Sequence, residues 1–368
     1  MRVKPKLKRN NHLLTVSDLS AQEVKDILHL MKLLKDAERD GVRLPLLKDK
    51  VLGMIFEINS TRTRISFESA MTQLGGHAEF LSTKTLWVGE GHESMRDTAE
   101  VISRMCDGVI MRCESQESME LFAQYSYVPV FNGMTLDYHP TQALADVFTM
   151  REHLPNTPYE DMVVMYVGDN NADLDHNTPV QTELMHMAAL LGMTYIACSP
   201  DEMQVCPRDE ENFKRLAETY HTGAKLIKTT DPYEYIADVD FTVSDFFGAG
   251  SDEHSEVTQR RLAALYPKYQ VNQALVDAGK RTLGVLHCLP GKRDEEITTE
   301  VWDGPNSLLF EEAENRLNAQ KAIVTWFMRT NPATEATQLY HMGKVEGFLN
   351  QATRETPAGA YHIDHSEE

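Results

Sequence analysis

The sequence predicts an α/β protein of two doubly wound parallel-sheet domains with a C-terminal helical extension. Short apolar runs alternate with longer helical stretches: "LGMIFE", "AEFLS", "GVIMRC" and "VPVFNG" early, then "MVVMYVGD", "TYIACSP", "DFTVSD", "GVLHCLP" and "SLLF". Such alternation joins parallel strands through crossover helices. The runs are almost continuously apolar, as strands covered by helices on both faces must be. The 368 residues also exceed the roughly 250–300 at which a single core stops growing, so two domains are expected.

The elements support that reading in turn. "VLGMIFE" reads as a short buried strand, and "RISFESAMTQLGG" as a helix closed by glycines. "HPTQALADVFTMREHLPNTPYED" reads as a helix followed by a Pro-containing linker near 154–160, where the domain boundary is expected. After the Pro break in "NPATEATQLYHMGKVEGFLNQ", Leu339, Met342, Val345 and Leu349 stand at helical spacing, which predicts either a face docking on another subunit or one packed on its own.

Composition narrows the function. A net charge of −20 argues against a broad nucleic-acid or anionic-membrane surface, though not against a local anion site. The start, "MRVKPKLKRNNHLLTV", lacks the apolar core of a signal peptide, and no run reaches about 18 apolar residues. Cys106, Cys113, Cys198, Cys206 and Cys288 show no CxxC pairing, which predicts reduced thiols, a cytoplasmic setting and no metal site.

The chemistry concentrates where strands turn into helices. "FEINSTRTRISFESA" places Ser60, Thr61, Arg62, Thr63 and Arg64 at such a junction. There, helix N–H groups, hydroxyls and guanidinium forks suit phosphate oxygens. An N-cap with two surface arginines is the alternative. The P-loop pattern GxxxxGK[ST] is absent, and "VGDNNAD" lacks the glycines of a dinucleotide fold. "HPTQ" opens another helix, where His139 and Gln142 could hydrogen-bond a carbonyl and an amide; His139 could instead be tied to backbone. "HCLP" ends a later strand, where Cys288 and the Leu289 carbonyl could grip a small polar ligand, or Cys288 could be a plain buried thiol. Arg316 in "EAENR" could pair with Glu312 or Glu314.

Taken in order, "STRTR", "MRC", "HPTQALAD", "VGD", "YPKYQVN", "HCLPGKRDEEIT" and "FEEAENRLNAQKAIV" resemble the aspartate/ornithine carbamoyltransferase family over roughly residues 12–330. The resemblance implies transfer of a carbamoyl group between carbamoyl phosphate and an amine, with no metal or organic cofactor. It implies that Ser60, Thr61, Arg62, Thr63 and Arg64 bind phosphate. Arg112, His139, Gln142 and the Leu289 carbonyl would hold the carbamoyl end, and Arg316 would reach the same anion. Arg62, Arg112, His139 and Cys288 would be the catalytic set. The implied domains are a carbamoyl-phosphate domain at 1–153, an acceptor domain at 154–311, a helix at 312–330 returning to the first, and an extension at 331–368. A non-catalytic anion-binding relative is the rival reading.

The acceptor is read from "DFTVSDFFGAGSDEHSEVTQRR". The ornithine branch typically carries Ser-Met-Gly shortly after its Asp; here Asp245 is followed by Phe246 and Phe247. Asp245 could pair with an ammonium while the two rings and Cys288 flank a methylene chain, which suits an acceptor without the α-amino-acid group. "YPKYQVNQ", "AENRL" and the long tail resemble the putrescine branch, although the "DFFG" turn is one residue shorter than in that branch, with ornithine or another amine as alternatives. In the same resemblance the tail docks on a neighbour in a homotrimer, and Trp87 stands in a loop that reaches a neighbouring subunit's site. Asp169, Asp173 and Asp175 would favour a polyamine or merely solvate a loop.

Overall fold

The computed structural model describes residues 11–83, 93–170, 178–247, 256–330 and 335–351. The chain divides into two units, Met1–Arg329 and Thr330–Glu368. Trp87, Asp173 and Asp175 lie outside the described residues.

The first unit contains two parallel sheets. In the first, β1 (Val51–Phe56), β2 (His77–Ser82), β3 (Gly108–Arg112) and β4 (Val130–Asn132) stand in the order β2-β1-β3-β4. In the second, β5 (Val163–Val167), β6 (Thr194–Cys198), β7 (Lys225–Thr229), β8 (Phe241–Ser244) and β9 (Gly284–His287) stand in the order β7-β6-β5-β8-β9. The helices are α1 (Ala21–Arg39), α2 (Thr61–Gln73), α3 (Met95–Met105), α4 (Gln116–Tyr125), α5 (Pro140–His153), α6 (Pro179–Leu191), α7 (Pro207–Thr219), α8 (Glu256–Leu265), α9 (Gln273–Ala278), α10 (Thr299–Trp302) and α11 (Leu309–Met328).

Two readings of the sequence need correction. "SLLF" is not a strand: Ser307 makes a single bridge to Val285, and Leu309 already begins α11. β7 escaped notice because it is an edge strand whose Lys225 and Lys228 face water, which breaks the apolar run.

Each sheet reverses direction of winding at one point, between β1 and β3 in the first and between β5 and β8 in the second. Ligands of open α/β sheets collect outside the strand ends at such points. Arg112 ends β3, and Asp245 directly follows β8.

One buried cluster reaches across both sheets. Ile110 and Phe131 of the first sheet belong to the same buried cluster as Val164, Tyr195 and Phe241 of the second. α5 and α6 join them, and every residue from Pro140 to Met150 and from Val180 to Leu191 is buried. A helix covered all round needs no polar stripe, which is why neither shows a clean amphipathic period. α11 packs on α5, α2 and α1, and its Ala319, Ala322, Ile323 and Met328 are buried. Truncating Ile323 to Ala would cost about 2–5 kcal/mol.

The second unit contains α12 (Glu335–Gln351). Its Leu339, Tyr340, Met342, Val345 and Phe348 are exposed. No described helix is long and apolar enough to cross a membrane.

Candidate active site

The end of β1 leads through a short loop to Ser60, the N-cap of α2, whose hydroxyl accepts from Thr63 N at 3.3 Å. The first turn of a helix leaves N–H groups without intrahelical partners and carries the positive end of the dipole. Ser60, Arg62 and Thr63 line a cavity of about 420 Å³ at this point. Arg112, His139, Gln142, Asp245, Phe246, Cys288, Leu289 and Arg316 line it too, so the structure brings most of the sequence-predicted residues together.

Three of those residues stand elsewhere. Arg64 is exposed, ion-paired with Glu68 at 2.9 Å and stacked 3.8 Å from the Phe80 ring centroid. Thr61 is exposed and its side chain does not line the cavity. Phe247 is buried in the core of the second sheet, so only Phe246 of the pair faces the cavity. Asp169 is not a solvated loop acid: it is buried and ion-paired with Arg261, whose Nε donates across 2.8 Å.

Three guanidinium groups, those of Arg62, Arg112 and Arg316, converge on this cavity. Arg112 donates to Gly133 O at 3.0 Å. Arg316 arrives from α11 and donates to Gln142 Oε1, to Thr63 Oγ1 at 3.2 Å and to Thr141 Oγ1 at 3.4 Å. Arg112 Nε and Arg316 Nε are buried with no hydrogen-bond partner among the described residues. Burial lowers the pKa of both groups to about 10, and for Arg112 the nearby Arg316 adds to it. They remain charged at neutral pH. Buried like charges with free N–H groups form a site for a multivalent anion.

His139 is the N-cap of α5 but makes no side-chain cap bond; its Nδ1 lies 3.3 Å from Thr141 Oγ1. Burial, reinforced by Arg316, Arg112 and Arg62, drives its pKa well below the usual value. The ring is therefore neutral and can serve as an uncharged donor. Arg316 is no surface ion pair either, being almost wholly buried.

The opposite wall comes from the second sheet. Cys288 donates to Asp245 Oδ1 at 3.0 Å, and Asp245 Oδ1 also accepts from Phe246 N at 2.7 Å. Burial, then Asp245, pushes the Cys288 thiol well above its ordinary pKa. Donor atoms of Asp245, His287 and Cys288 lie within 4.8 Å of one another, but hydrogen bonds account for the cluster, since His287 Nδ1 accepts from Leu289 N at 2.9 Å. Two lining residues hold left-handed backbone without being glycine, Met134 at φ 136° and Leu289 at φ 53°. Such strain persists where surrounding structure imposes it, commonly at functional sites.

Sequence reasoning missed Met134, Pro179, Val180, Gly291 and Lys292, which also line the cavity. Lys292 Nζ stands 4.9 Å from the Phe246 ring centroid. It also missed Asp146, buried behind Gln142, although the i,i+4 spacing in "HPTQALAD" was a signal.

Fold and site together define a two-domain α/β protein with an arginine-lined cavity at the strand ends of its sheets. Residues 11–152 match the family model "Aspartate/ornithine carbamoyltransferase, carbamoyl-P binding domain", and residues 160–327 match the "Asp/Orn binding domain". The chain is 39% identical over 359 residues to the putrescine carbamoyltransferase of Mycoplasma capricolum subsp. capricolum, covering 93% of each chain. It is 42% identical over 319 residues to the ornithine carbamoyltransferase of Wolinella succinogenes, covering 86% of this chain and 98% of that one. The structure of the ornithine carbamoyltransferase from Pyrococcus furiosus superposes with a TM-score of 0.80 at 35% identity, covering 87% and 98%. This chain belongs to the aspartate/ornithine carbamoyltransferase family and is a carbamoyltransferase.

Proposed function

We propose that the chain transfers the carbamoyl group between carbamoyl phosphate and a small amine, with putrescine as the acceptor. The observation that carries the reaction is the convergence of Arg62, Arg112 and Arg316 on the N-terminus of α2, facing Asp245 and Cys288 across one cavity.

Phosphate sits on the first turn of α2, held by Ser60, Thr63 and Arg62, with Thr61 contributing its backbone N–H. Arg64, turned to Glu68 and Phe80, is left out of this set. Arg112, His139, Gln142 and the Leu289 carbonyl hold the carbamoyl end, and Arg316 reaches the anion from α11. The amine nitrogen attacks the carbonyl carbon, and negative charge builds on the carbonyl oxygen. Arg62 and the neutral His139 imidazole stabilise that charge as preorganised donors. The bond to the phosphate oxygen then breaks, the phosphate leaves with the electron pair, and it accepts the proton lost by the amine. Alignment of two substrates in one closed cleft supplies much of the rate.

Two features support putrescine. Ser-Met-Gly is missing after Asp245, so an α-amino-acid clamp of that kind is absent, while Asp245 beside Phe246 suits an ammonium on a methylene chain. The match to the Mycoplasma capricolum enzyme also takes in 93% of this chain, against 86% for the Wolinella succinogenes enzyme. Lys292 on the same cavity favours the second reading, an amino-acid acceptor such as ornithine whose carboxylate would meet that ammonium. Initial rates with carbamoyl phosphate and putrescine, ornithine, acetylornithine, agmatine or aspartate decide between them. A preference for ornithine removes the putrescine reading; silence with all five removes both. Assembly as a homotrimer through α12 belongs to the same proposal, and sedimentation of the full chain against one ending at residue 330 tests it.

A further inference from the structure

Behind the anion-binding arginines lies a pair of buried acids that the reaction as written does not use. Asp146, on α5, and Glu312, on α11, are both almost wholly shielded from water. They converge on a single nitrogen: Gln142 Nε2 donates to Asp146 Oδ1 at 2.7 Å and to Glu312 Oε1 at 2.7 Å. Glu312 Oε2 accepts from His287 N at 2.8 Å, at the end of β9. Asp146 Oδ2 is buried with no donor among the described residues.

Both carboxyls approach the same amide nitrogen out of water, where two adjacent negative charges oppose each other, so the pair favours holding a proton. Burial raises the pKa of both groups, and the charge of Asp146 raises that of Glu312 further. The consequence falls on Gln142. An amide has two N–H donors and one oxygen, and here both donors are claimed by acids. The flip of the amide, ambiguous for most glutamines, is thereby set. Gln142 Oε1 is left for Arg316 Nη1 and for the cavity that Gln142 lines.

We infer that Asp146 and Glu312 are a paired positioning device that holds the Gln142 amide with its oxygen toward the substrate's carbamoyl N–H groups and ties it to the acceptor-side strand β9. The inference rests on the carbamoyl phosphate reading above and adds a cause for the orientation of one of its contacts. Neither acid touches substrate. Their effect passes through Gln142, and inorganic phosphate, which lacks a carbamoyl group, should not report it.

That difference supplies the test. Calorimetric titration with inorganic phosphate and with carbamoyl phosphate is run on the wild type, Glu312→Gln, Gln142→Ala and the double variant, with Asp146→Asn as a second probe should Glu312→Gln fold poorly. In the wild type carbamoyl phosphate binds more tightly than phosphate; no such preference would remove the carbamoyl subsite itself before any variant is read. In Glu312→Gln, phosphate affinity should stay within about threefold while carbamoyl phosphate affinity falls roughly tenfold, the worth of about one hydrogen bond. In the Gln142→Ala background the same substitution should cost nothing further, because the partner it positions is gone. Equal weakening of both ligands, or an undiminished loss without Gln142, would mean a merely structural role and overturn the inference.

Discussion

Cys288 donates its thiol hydrogen to Asp245 across 3.0 Å, joining the end of β9 to the residue that follows β8. Two neighbouring strand ends of the second sheet are thus tied together on the acceptor side of the cavity. The bond also determines what the thiol is: beside a carboxylate and only partly exposed, it stays protonated and is a donor rather than a nucleophile.

Alkylation should therefore be slow at Cys288 in the native protein at about pH 8. Asp245→Asn removes the negative charge that opposes thiolate formation, so labelling should accelerate. Peptide mapping after timed iodoacetamide treatment reads the rate at Cys288 alone. No acceleration in the variant would mean that Asp245 does not control the thiol.

Arg62 and Arg64 should separate sharply. Arg62→Ala removes a guanidinium from the cavity and should lower kcat by about 100- to 1000-fold, the range seen when one preorganised charge donor is lost. Arg64→Ala breaks a surface ion pair and a stacking contact with Phe80, and should cost less than about tenfold. Steady-state kinetics on both variants under one set of conditions makes the comparison. Equal losses would return Arg64 to the phosphate site.

Gly168 follows β5 with φ 137°, and a Cβ there would lie 3.0 Å from Phe247 Cε1. Gly168→Ala strains the backbone and pushes the buried ring that underlies the Asp245–Phe246 turn. The expected result is a rise in acceptor KM of about tenfold with phosphate affinity unchanged. A variant with wild-type acceptor KM would show that the turn does not depend on Phe247.

His186 on α6 accepts from Asn212 Nδ2 at its Nε2, across 3.0 Å, and its Nδ1 faces Ser17 Oγ at 3.4 Å. Burial pushes its pKa down to about 3. The unfolded chain takes up a proton below about pH 6.5 that the folded ring refuses, so this residue costs no stability above that pH and a growing amount below it. Relative to His186→Asn, the wild type should lose about 1.4 kcal/mol per pH unit between roughly 6.5 and 3. Urea unfolding of both proteins at about pH 7.5 and 5.5 measures the change in their difference; a constant difference would mean the ring takes a proton in the fold.

Part of this site was legible before any coordinates. The apolar runs marked eight of the nine strands, and "STRTR", "HPTQ" and "HCLP" do stand where strands give way to the cavity-lining segments. Helix geometry alone could have separated Arg62 from Arg64, since residues two apart on a helix do not share a face. Phe246 and Phe247 could not be separated in that way. They lie in an irregular turn, and which ring goes inward depends on the space beneath Gly168. Asp169 read as a loop acid because Arg261, its partner, is 92 residues away in sequence.

Local pattern by itself determined the class of fold, the strand-to-helix junctions and the supply of arginines and hydroxyls at them, because periodicity, capping and strand apolarity act within a few residues. Tertiary structure alone decided which of those groups share a cavity and in what charge state. Arg316 reaches Thr63 from 253 residues away, and Glu312 reaches Gln142 from 170. Contacts of that span are set by how α11 packs on α2 and α5, and the burial that packing produces holds His139 neutral and raises the pKa of Asp146 and Glu312.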